Sequence, residues 1–269
     1  MVFQILKRSW GEKQMNQSVI KALSLLDLFS PDKTELSLAE IAKLSELTKP
    51  TAYRLLSSLE TCGFVSKVKY SEQDIRYRLG LKLLELGNMV LEQSELRKVA
   101  LPFMKQLAES MDEAVHLVVV DGEEAVYIEK VDSKQPIRLF TSVGKRSPLH
   151  LGSASKLLLA YMNNPQKEQL IENMEFVSMT PNSITSAERL KEELDKILQN
   201  GYSISDGEQT LETIGLSLPI KDHTGAVVAS LTISGMKSRF NKERMPILLE
   251  ETEKAADLIS RDLGYIKGR

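Results

Sequence analysis

The chain of 269 residues is too long for one small domain, and its length favours two. Hydrophobic residues at 42% and charged residues at 27% describe an ordinary globular protein and exclude a disordered one. A net charge of −2 and a pI of about 6.1 exclude a generic polyanion binder, so any nucleic-acid surface must be a local patch.

The opening stretch MVFQILKRSWGEKQ is basic, with neither a long apolar core nor an A-x-A-like cleavage site. Met15 begins a better-patterned segment, so residues 1–14 are expected to be a dispensable arm or an upstream start. No apolar run approaches the roughly 18 residues that a membrane span needs. The single cysteine, Cys62, can form no intrachain disulfide, which fits a reducing, cytoplasmic compartment. It lies between Leu59 and Gly63-Phe64 and is expected as a small core residue.

Helical periodicity runs from Val19 through Ile20, Leu23 and Leu26 to Phe29, and Ser30-Pro31-Asp32-Lys33 breaks it. Ser37-Leu38-Ala39-Glu40 has the form of a capping box and starts a short helix with Leu38, Ile41, Ala42 and Leu44 on one side. Ser45-Glu46-Leu47 is a tight connection. Thr48 is expected to cap the next helix, whose first turn tolerates Pro50 because amides there lack intrahelical partners. Ala52, Leu55, Leu56 and Leu59 follow helical spacing, and Gly63 ends the run. Phe64 to Val68 and Arg76 to Leu79 read as a hairpin. Three helices and a hairpin over residues 15–80 are the plan of a winged helix-turn-helix. Residues 81–95 form a leucine-rich linker helix whose Leu81, Leu84, Val90 and Leu91 are expected to be buried between subunits. Leu96 to Met111 is a further helix containing Pro102.

The remainder, residues 96–269, mixes strands with helices. Ala114 to Val120, Ala125 to Val131 and Ile137 to Thr141 read as strands, and Gly152 to Met162 as a helix. Thr185 to Asn200 is amphipathic and closed by Gly201. Gly215 to Lys221 and Ala226 to Ser234 pair across Asp222-His223-Thr224-Gly225, and a last helix spans Asn241 to Leu263. The fold class expected is a mostly α winged helix-turn-helix domain followed by an α+β domain with an antiparallel sheet.

In a helix-turn-helix the second helix enters the major groove. That places Lys49, Thr51, Tyr53 and Arg54 toward base edges, with Ser57 and Ser58 toward phosphates. Between positions 47 and 80, six cations (Lys49, Arg54, Lys67, Lys69, Arg76, Arg78) face three anions (Glu60, Glu72, Asp74), a local +3 in a chain of net −2. This is the footprint of a phosphate-binding face, with Lys67, Lys69 and Arg76 on the wing. The same module could instead contact a protein partner.

A rival enzyme reading rests on Ser153-Ala154-Ser155-Lys156, Ser205-Asp206-Gly207 and His223-Thr224-Gly225, which imitate the boxes of serine β-lactamases in order. The second and third start only 18 residues apart, too close for that fold, and the third sits in a turn. No catalytic role is expected. His116, His150 and His223 are too scattered for a metal site, and no cofactor is implied. His150 is expected to be a hydrogen-bonded structural residue.

Val19…Ala22-Leu23…Leu25-Leu26, Leu47-Thr48-Lys49-Pro50-Thr51-Ala52-Tyr53-Arg54-Leu55-Leu56, Gly63-Phe64-Val65 and Tyr77-Arg78-Leu79-Gly80 resemble the IclR family of bacterial transcriptional regulators. Pro148-Leu149-His150, Ala154-Ser155-Lys156, Leu159-Ala160, Gly201-Tyr202, Leu218-Pro219-Ile220 and Ile233-Ser234-Gly235 resemble its effector domain. The resemblance runs from Met15 to Leu263. It implies a GAF-like ligand domain and dimers or tetramers on operator DNA, here in the role of a repressor. It also implies an effector pocket at Gly152, Ser153 and Ala154, with Thr232 and Ser234, and with Asp206, Glu208 and Gly215 beside it. Helix-terminal amides and hydroxyls there favour a small carboxylate. This chain departs from the family at Glu212, where many relatives have glycine, at Gly215, where they have cysteine, and at Ser205, where they have an acid. Glu212 is expected to face solvent, since an inward carboxylate would repel such an anion.

Overall fold

The computed structural model divides into two compact units that part between residues 93 and 94. It describes residues 16–71, 73–93, 95–135 and 141–266, with backbone alone at 88 and 90–93. Residues 1–14, expected as an arm, lie outside the described residues.

In the first unit α1 (Gln17–Ser24) starts at Asn16, whose side chain accepts from the amides of Ser18 and Val19. The helix expected to reach Phe29 closes at Ser24, and a 3-10 turn over Leu26–Leu28 completes the segment. Strand β1 (Leu36–Ser37) leads into α2 (Leu38–Leu44), and Ser37 with Glu40 makes the expected capping box in both directions. Helix α3 (Lys49–Thr61) follows. Thr48 stands at its N-cap, but the hydroxyl expected to cap meets Thr51 Oγ1 at 2.9 Å instead. Gly63, at φ +78, turns the chain out of the helix. Strands β2 (Val65–Lys69) and β3 (Ile75–Leu79) form the expected hairpin, and β1 pairs on the far side of β3. Ile41, Ala52, Leu56, Leu59, Val65 and Tyr77 bury against one another beneath it. Cys62 is exposed, contrary to expectation. It occupies the C-cap, where the chain has already left the buried stripe of α3. Helix α4 (Leu81–Gln93) closes the unit in sequence.

The second unit opens with α5 (Glu95–Met111), whose Ala100, Met104, Leu107 and Ala108 form one buried stripe. Strands β4 (Ala114–Asp121), β5 (Glu124–Val131), β6 (Arg146–Pro148), β7 (Ser203–Asp206), β8 (Thr213–Lys221) and β9 (Val227–Met236) form one antiparallel sheet. Its order is β6-β5-β4-β9-β8-β7. The strand expected over Ile137 to Thr141 falls mostly outside the described residues, and Thr141 is not in a strand. Helices α6 (Ser153–Ala160), α7 (Asn164–Glu172) and α8 (Ala187–Asn200) lie between β6 and β7 in sequence, and α9 (Met245–Asp262) ends the unit. Helix α7 escaped the sequence reading because its apolar residues are few, and β7 because it is short and rich in serine.

Period-two alternation divides the sheet into two faces. Val115, Leu117, Leu216, Leu218, Leu231 and Ile233 pack into one apolar core with α5 and α9. Residues between them face α6, which packs with Val118, Ala125 and Tyr127 in a second core. One buried charge joins the strand side to the helix side of the first core. Glu113 is 0% exposed and accepts from Arg239 Nε at 2.8 Å, Arg239 Nη2 at 2.5 Å and Arg244 Nη1 at 2.6 Å. Arg244 also donates to the Met111 carbonyl. Both arginines are partly exposed, which keeps their own desolvation small. Removing the carboxylate strands two cations against the core, and loss of one partner from a buried pair costs about 3 kcal/mol. Glu113→Ala is therefore expected to lower unfolding free energy by about 3 kcal/mol in urea melts. A change under about 0.5 kcal/mol would show the cluster to be neutral.

Candidate functional site

Two surfaces concentrate the expected site residues. On α3, Ala52, Leu56 and Leu59 are buried, so helical spacing turns Lys49, Tyr53, Arg54 and Ser58 outward. Tyr53 is 49% exposed. Lys49 and Arg54 form no ion pair among the described residues, and no acid lies between Glu46 and Glu60 to neutralise them. The helix start is thus a cationic, donor-rich surface. Thr51 and Ser57 are half-buried beside it. Ser58 Oγ turns back to donate to the Arg54 carbonyl at 3.2 Å, as serine does within helices.

The wing is tied to that helix. Lys67 on β2 donates to Glu60 Oε2 at 2.5 Å and lies 5.7 Å from the Tyr53 ring centroid and 5.8 Å from that of Tyr77. The Glu60 contact raises the Lys67 pKa above its ordinary value. Arg76 on β3 pairs with Asp74 at 3.1 Å, and Arg78 Nε donates to Ser66 Oγ at 3.3 Å. Lys69 at the end of β2 is exposed.

The second surface is the sheet face beneath α6. Gly215, Ser217, Ser230, Thr232 and Ser234 alternate with the apolar residues of β8 and β9 and so share this face. Three of their hydroxyls form a line that ends on α6. Ser230 Oγ lies 3.2 Å from Thr232 Oγ1, Thr232 Oγ1 lies 2.7 Å from Ser217 Oγ, and Ser217 donates to Ser153 Oγ on α6 at 2.8 Å. A Cβ on Gly215 would stand 2.7 Å from Ser153 Oγ and 3.9 Å from Ser234 Cβ, so a side chain there would require the Ser153 hydroxyl to move. The expected residues Gly152, Ser153, Gly215, Thr232 and Ser234 are thereby brought together. Ala154 instead packs into the second apolar core. Asp206 is exposed and paired with Lys237 at 2.8 Å. Glu212 is exposed.

Glu208 occupies the start of α6. Its Oε2 accepts from the Gly152 amide at 3.0 Å and its Oε1 from Lys156 Nζ at 2.5 Å. Lys156, 1% exposed, gives its remaining protons to Glu193 Oε1 at 2.8 Å and the Ile204 carbonyl at 3.1 Å. All three ammonium donors are used and none reaches Ser153, which removes the amine that the β-lactamase reading required. A cleft of about 480 Å³ opens beside this cluster, lined by Lys156, Asn182, Arg189, Glu193, Asp206 and Glu208. His150, fully buried, accepts from the Val177 amide at 3.1 Å and meets the Phe176 ring edge-on, the structural role expected of it.

His116 on β4 is a residue to which the sequence assigns no role in the effector site. It is 2% exposed, its Nε2 lies 2.9 Å from Ser234 Oγ, and its ring meets Tyr127 edge-on at 5.6 Å. Burial, aided by Lys130 and Lys145, pushes its pKa down to about 3. The unfolded ring takes a proton below its ordinary value of 6.5, while the folded ring stays neutral until about 3. Stability is therefore complete above that upper value and is lost as pH falls toward the lower one. Between pH of about 6.5 and 5, the unfolding free energy from urea melts is expected to fall by up to about 1.4 kcal/mol per pH unit, and less steeply in His116→Gln. Equal slopes would show that the ring is not the source.

Comparisons with known proteins match both units. Residues 18–69 match the IclR helix-turn-helix domain, and residues 88–261 match the bacterial transcriptional regulator IclR C-terminal domain. The chain is 38% identical over 250 residues to the HTH-type transcriptional regulator KipR of Bacillus subtilis, covering 93% of this chain and 98% of that protein. It is 33% identical to KdgR of Escherichia coli, covering 92% and 93%. The crystal structure of Thermotoga maritima IclR superposes with a TM-score of 0.73 at 32% identity, covering 92% of this chain and 99% of that one. An IclR homologue from Microbacterium hydrocarbonoxydans, solved in complex with 4-hydroxybenzoate, superposes with a TM-score of 0.78 at 25% identity, covering 92% and 99%. This chain belongs to the IclR family: it is a DNA-binding transcriptional regulator with a C-terminal effector-binding domain, and not an enzyme.

Proposed function

We propose that the protein is a cytoplasmic repressor that binds operator DNA as a dimer or dimer of dimers and changes its DNA affinity when a small carboxylate binds beneath α6. The observation that carries the DNA half is the α3 surface, where Lys49 and Arg54 stand exposed beside Tyr53 with no carboxylate in the same turn. In this reading Arg54 reaches a base edge, Lys49, Thr51 and Tyr53 support it, and Ser57, Ser58, Lys67, Lys69 and Arg76 line the phosphates. For the effector, the hydroxyls of the buried Ser217 and Thr232 and the half-buried Ser234 supply donors, and Glu212 is exposed. The relative that carries 4-hydroxybenzoate supports an acid as ligand.

Two-fold assembly is supported by α4, on which Leu81 is 82% exposed and Leu84 and Met89 are also bare. A single winged helix reads few base pairs, and paired half-sites are the usual remedy. The side chains of Val90 and Leu91, expected on the same surface, lie outside the described residues. Light scattering at micromolar concentration is expected to give a dimeric or tetrameric mass, and Leu84→Glu to reduce it. A monomeric mass for the unaltered protein would refute the assembly.

The operator can be recovered by sequencing DNA fragments retained on the purified protein. On it, Arg54→Ala is expected to cost about 1–3 kcal/mol and to relax the base preference at one position. Log affinity should fall with log salt by about 0.9 per phosphate neutralised. Unaltered affinity in a folded Arg54→Ala protein would take α3 out of the groove.

A further inference from the structure

The row of residues crossing the sheet through Thr232 is polar, and from β4 to β7 its four positions carry only neutral side chains with Lys130 of β5 beyond them. Register aligns His116 on β4 with Thr232 on β9, Thr232 with Ser217 on β8, and Ser217 with Ser203 on β7. The middle is satisfied, since Ser217 and Thr232 share a hydrogen bond. The two ends are not. His116 Nδ1 and Ser203 Oγ are each buried with no hydrogen-bond partner among the described residues. Buried polar atoms without partners are uncommon, and each calls for an explanation. Adjacent strands lie about 4.8 Å apart, so the two ends are about 14 Å apart, farther than one small acid reaches. His116 is the end joined to the effector face. Its Nε2 meets Ser234, which flanks Gly215, and Gly215 flanks Ser153 on α6.

The chemistry of the ring decides what that end can recognise. A neutral imidazole carries one N–H and one bare lone pair. An orphaned buried N–H is rarer than an under-satisfied acceptor, which assigns the proton to Nε2, donating to Ser234 Oγ. Nδ1 is then a lone pair, which accepts from a hydroxyl or an amine and repels a carboxylate oxygen. The charges nearby separate the two donors. Lys130 and Lys145 disfavour a cation at the ring, and Asp132, which favours one, is itself paired with Lys130 at 2.8 Å. An ammonium is disfavoured in that setting. A hydroxyl is not.

We propose that His116 is a specificity-determining residue of the effector site. Its Nδ1 accepts a hydrogen bond from a hydroxyl on the effector, so that hydroxy acids bind in preference to the matching acids that lack the hydroxyl. The inference rests on the carboxylate reading above and adds a second recognised group to it. It also explains why a ring that could have been an apolar side chain is kept in a buried position at the cost of an unpaired atom.

Matched pairs test it on the full-length protein: acetate with glycolate, propionate with lactate, succinate with malate, and benzoate with 4-hydroxybenzoate. Calorimetry is expected to find at least one pair in which the hydroxy acid binds about tenfold tighter, one hydrogen bond's worth. In His116→Phe that ratio should fall to about one, whatever the loss of the Ser234 contact does to the affinity of both acids. A second readout needs no variant. With 15N-labelled histidine, the Nδ1 resonance of His116, one of only three histidines, should move on adding the hydroxy acid and stay put with its partner. This decides the matter if His116→Phe does not fold. A ratio preserved in His116→Phe, or a motionless Nδ1 resonance under saturating hydroxy acid, overturns the proposal while leaving the carboxylate reading standing. Failure of every acid to bind overturns the carboxylate reading, and this inference with it.

Discussion

A buried cation organises the ligand half of the molecule. Lys156 projects from α6 into a site that is 1% exposed, and an ammonium there costs several kcal/mol unless carboxylates and carbonyls surround it. The partners come from three directions. Glu193 belongs to α8, Ile204 to β7, and Glu208 to the connection from β7 to β8. Four separate pieces of chain are therefore fixed around one nitrogen. Glu208 goes further, because its second oxygen holds the Gly152 amide at the start of α6. Gly152 has φ +88, and a Cβ there would stand 2.9 Å from Gln209 Nε2, so the following residue of the same connection closes over the same helix end. Gln209 donates in turn to Ser147 Oγ and the Leu151 carbonyl. The position of α6 over the sheet, and with it the hydroxyl face, depends on this set of contacts.

That arrangement changes what an anionic effector would meet. Helix-terminal amides attract carboxylates, but here a carboxylate of the protein already sits at the Gly152 amide, with Lys156 behind it. A ligand that used the same amide would have to displace Glu208 from a buried ion pair. A ligand that used the hydroxyls of Ser217, Thr232 and Ser234 would only exchange one hydrogen bond for another. The second route involves smaller opposing terms, since neutral hydrogen bonds exchange at roughly 1 kcal/mol and buried charge pairs break at several.

Much of the fold was legible because its signals are local. The capping box at Ser37 and Glu40, the glycine stops at Gly63 and Gly201, and the amphipathic period of α8 each act within a few residues and appeared where expected. At Thr48 the boundary was right and only the capping bond differed, because its hydroxyl found Thr51, whereas α1 stopped short where the chain tightens into a 3-10 turn. The candidate site was legible only in part, because register is not local. Thr232 and Ser234 stood out within one strand. Ser217 and His116 join them only through pairing with β8 and β4, across separations of 15 and 116 residues. The alternation Ile214-Gly215-Leu216-Ser217-Leu218 did carry a trace of this, since small polar residues at every second position of a buried strand predict a polar face. Lys156 was visible as half of a serine-lysine box, and its carboxylate partners, distant in sequence, were what gave it a different meaning.

The hydroxyl face is the less stable of two ways to pack a helix on a sheet. Beneath α5 and α9 the sheet presents leucine, isoleucine and valine, and each such side chain contributes roughly 1.5–3 kcal/mol on burial. Beneath α6 the equivalent positions carry glycine, serine and threonine, which bury little apolar area and need partners for every hydroxyl. Most are satisfied only by one another, so moving one disturbs the next. Such a face resists the tight, featureless packing of an apolar core and can exchange partners without opening a cavity. If the proposed effector binds at that face, the division of the sheet places the stable apolar core on one side and the exchangeable bonds on the other.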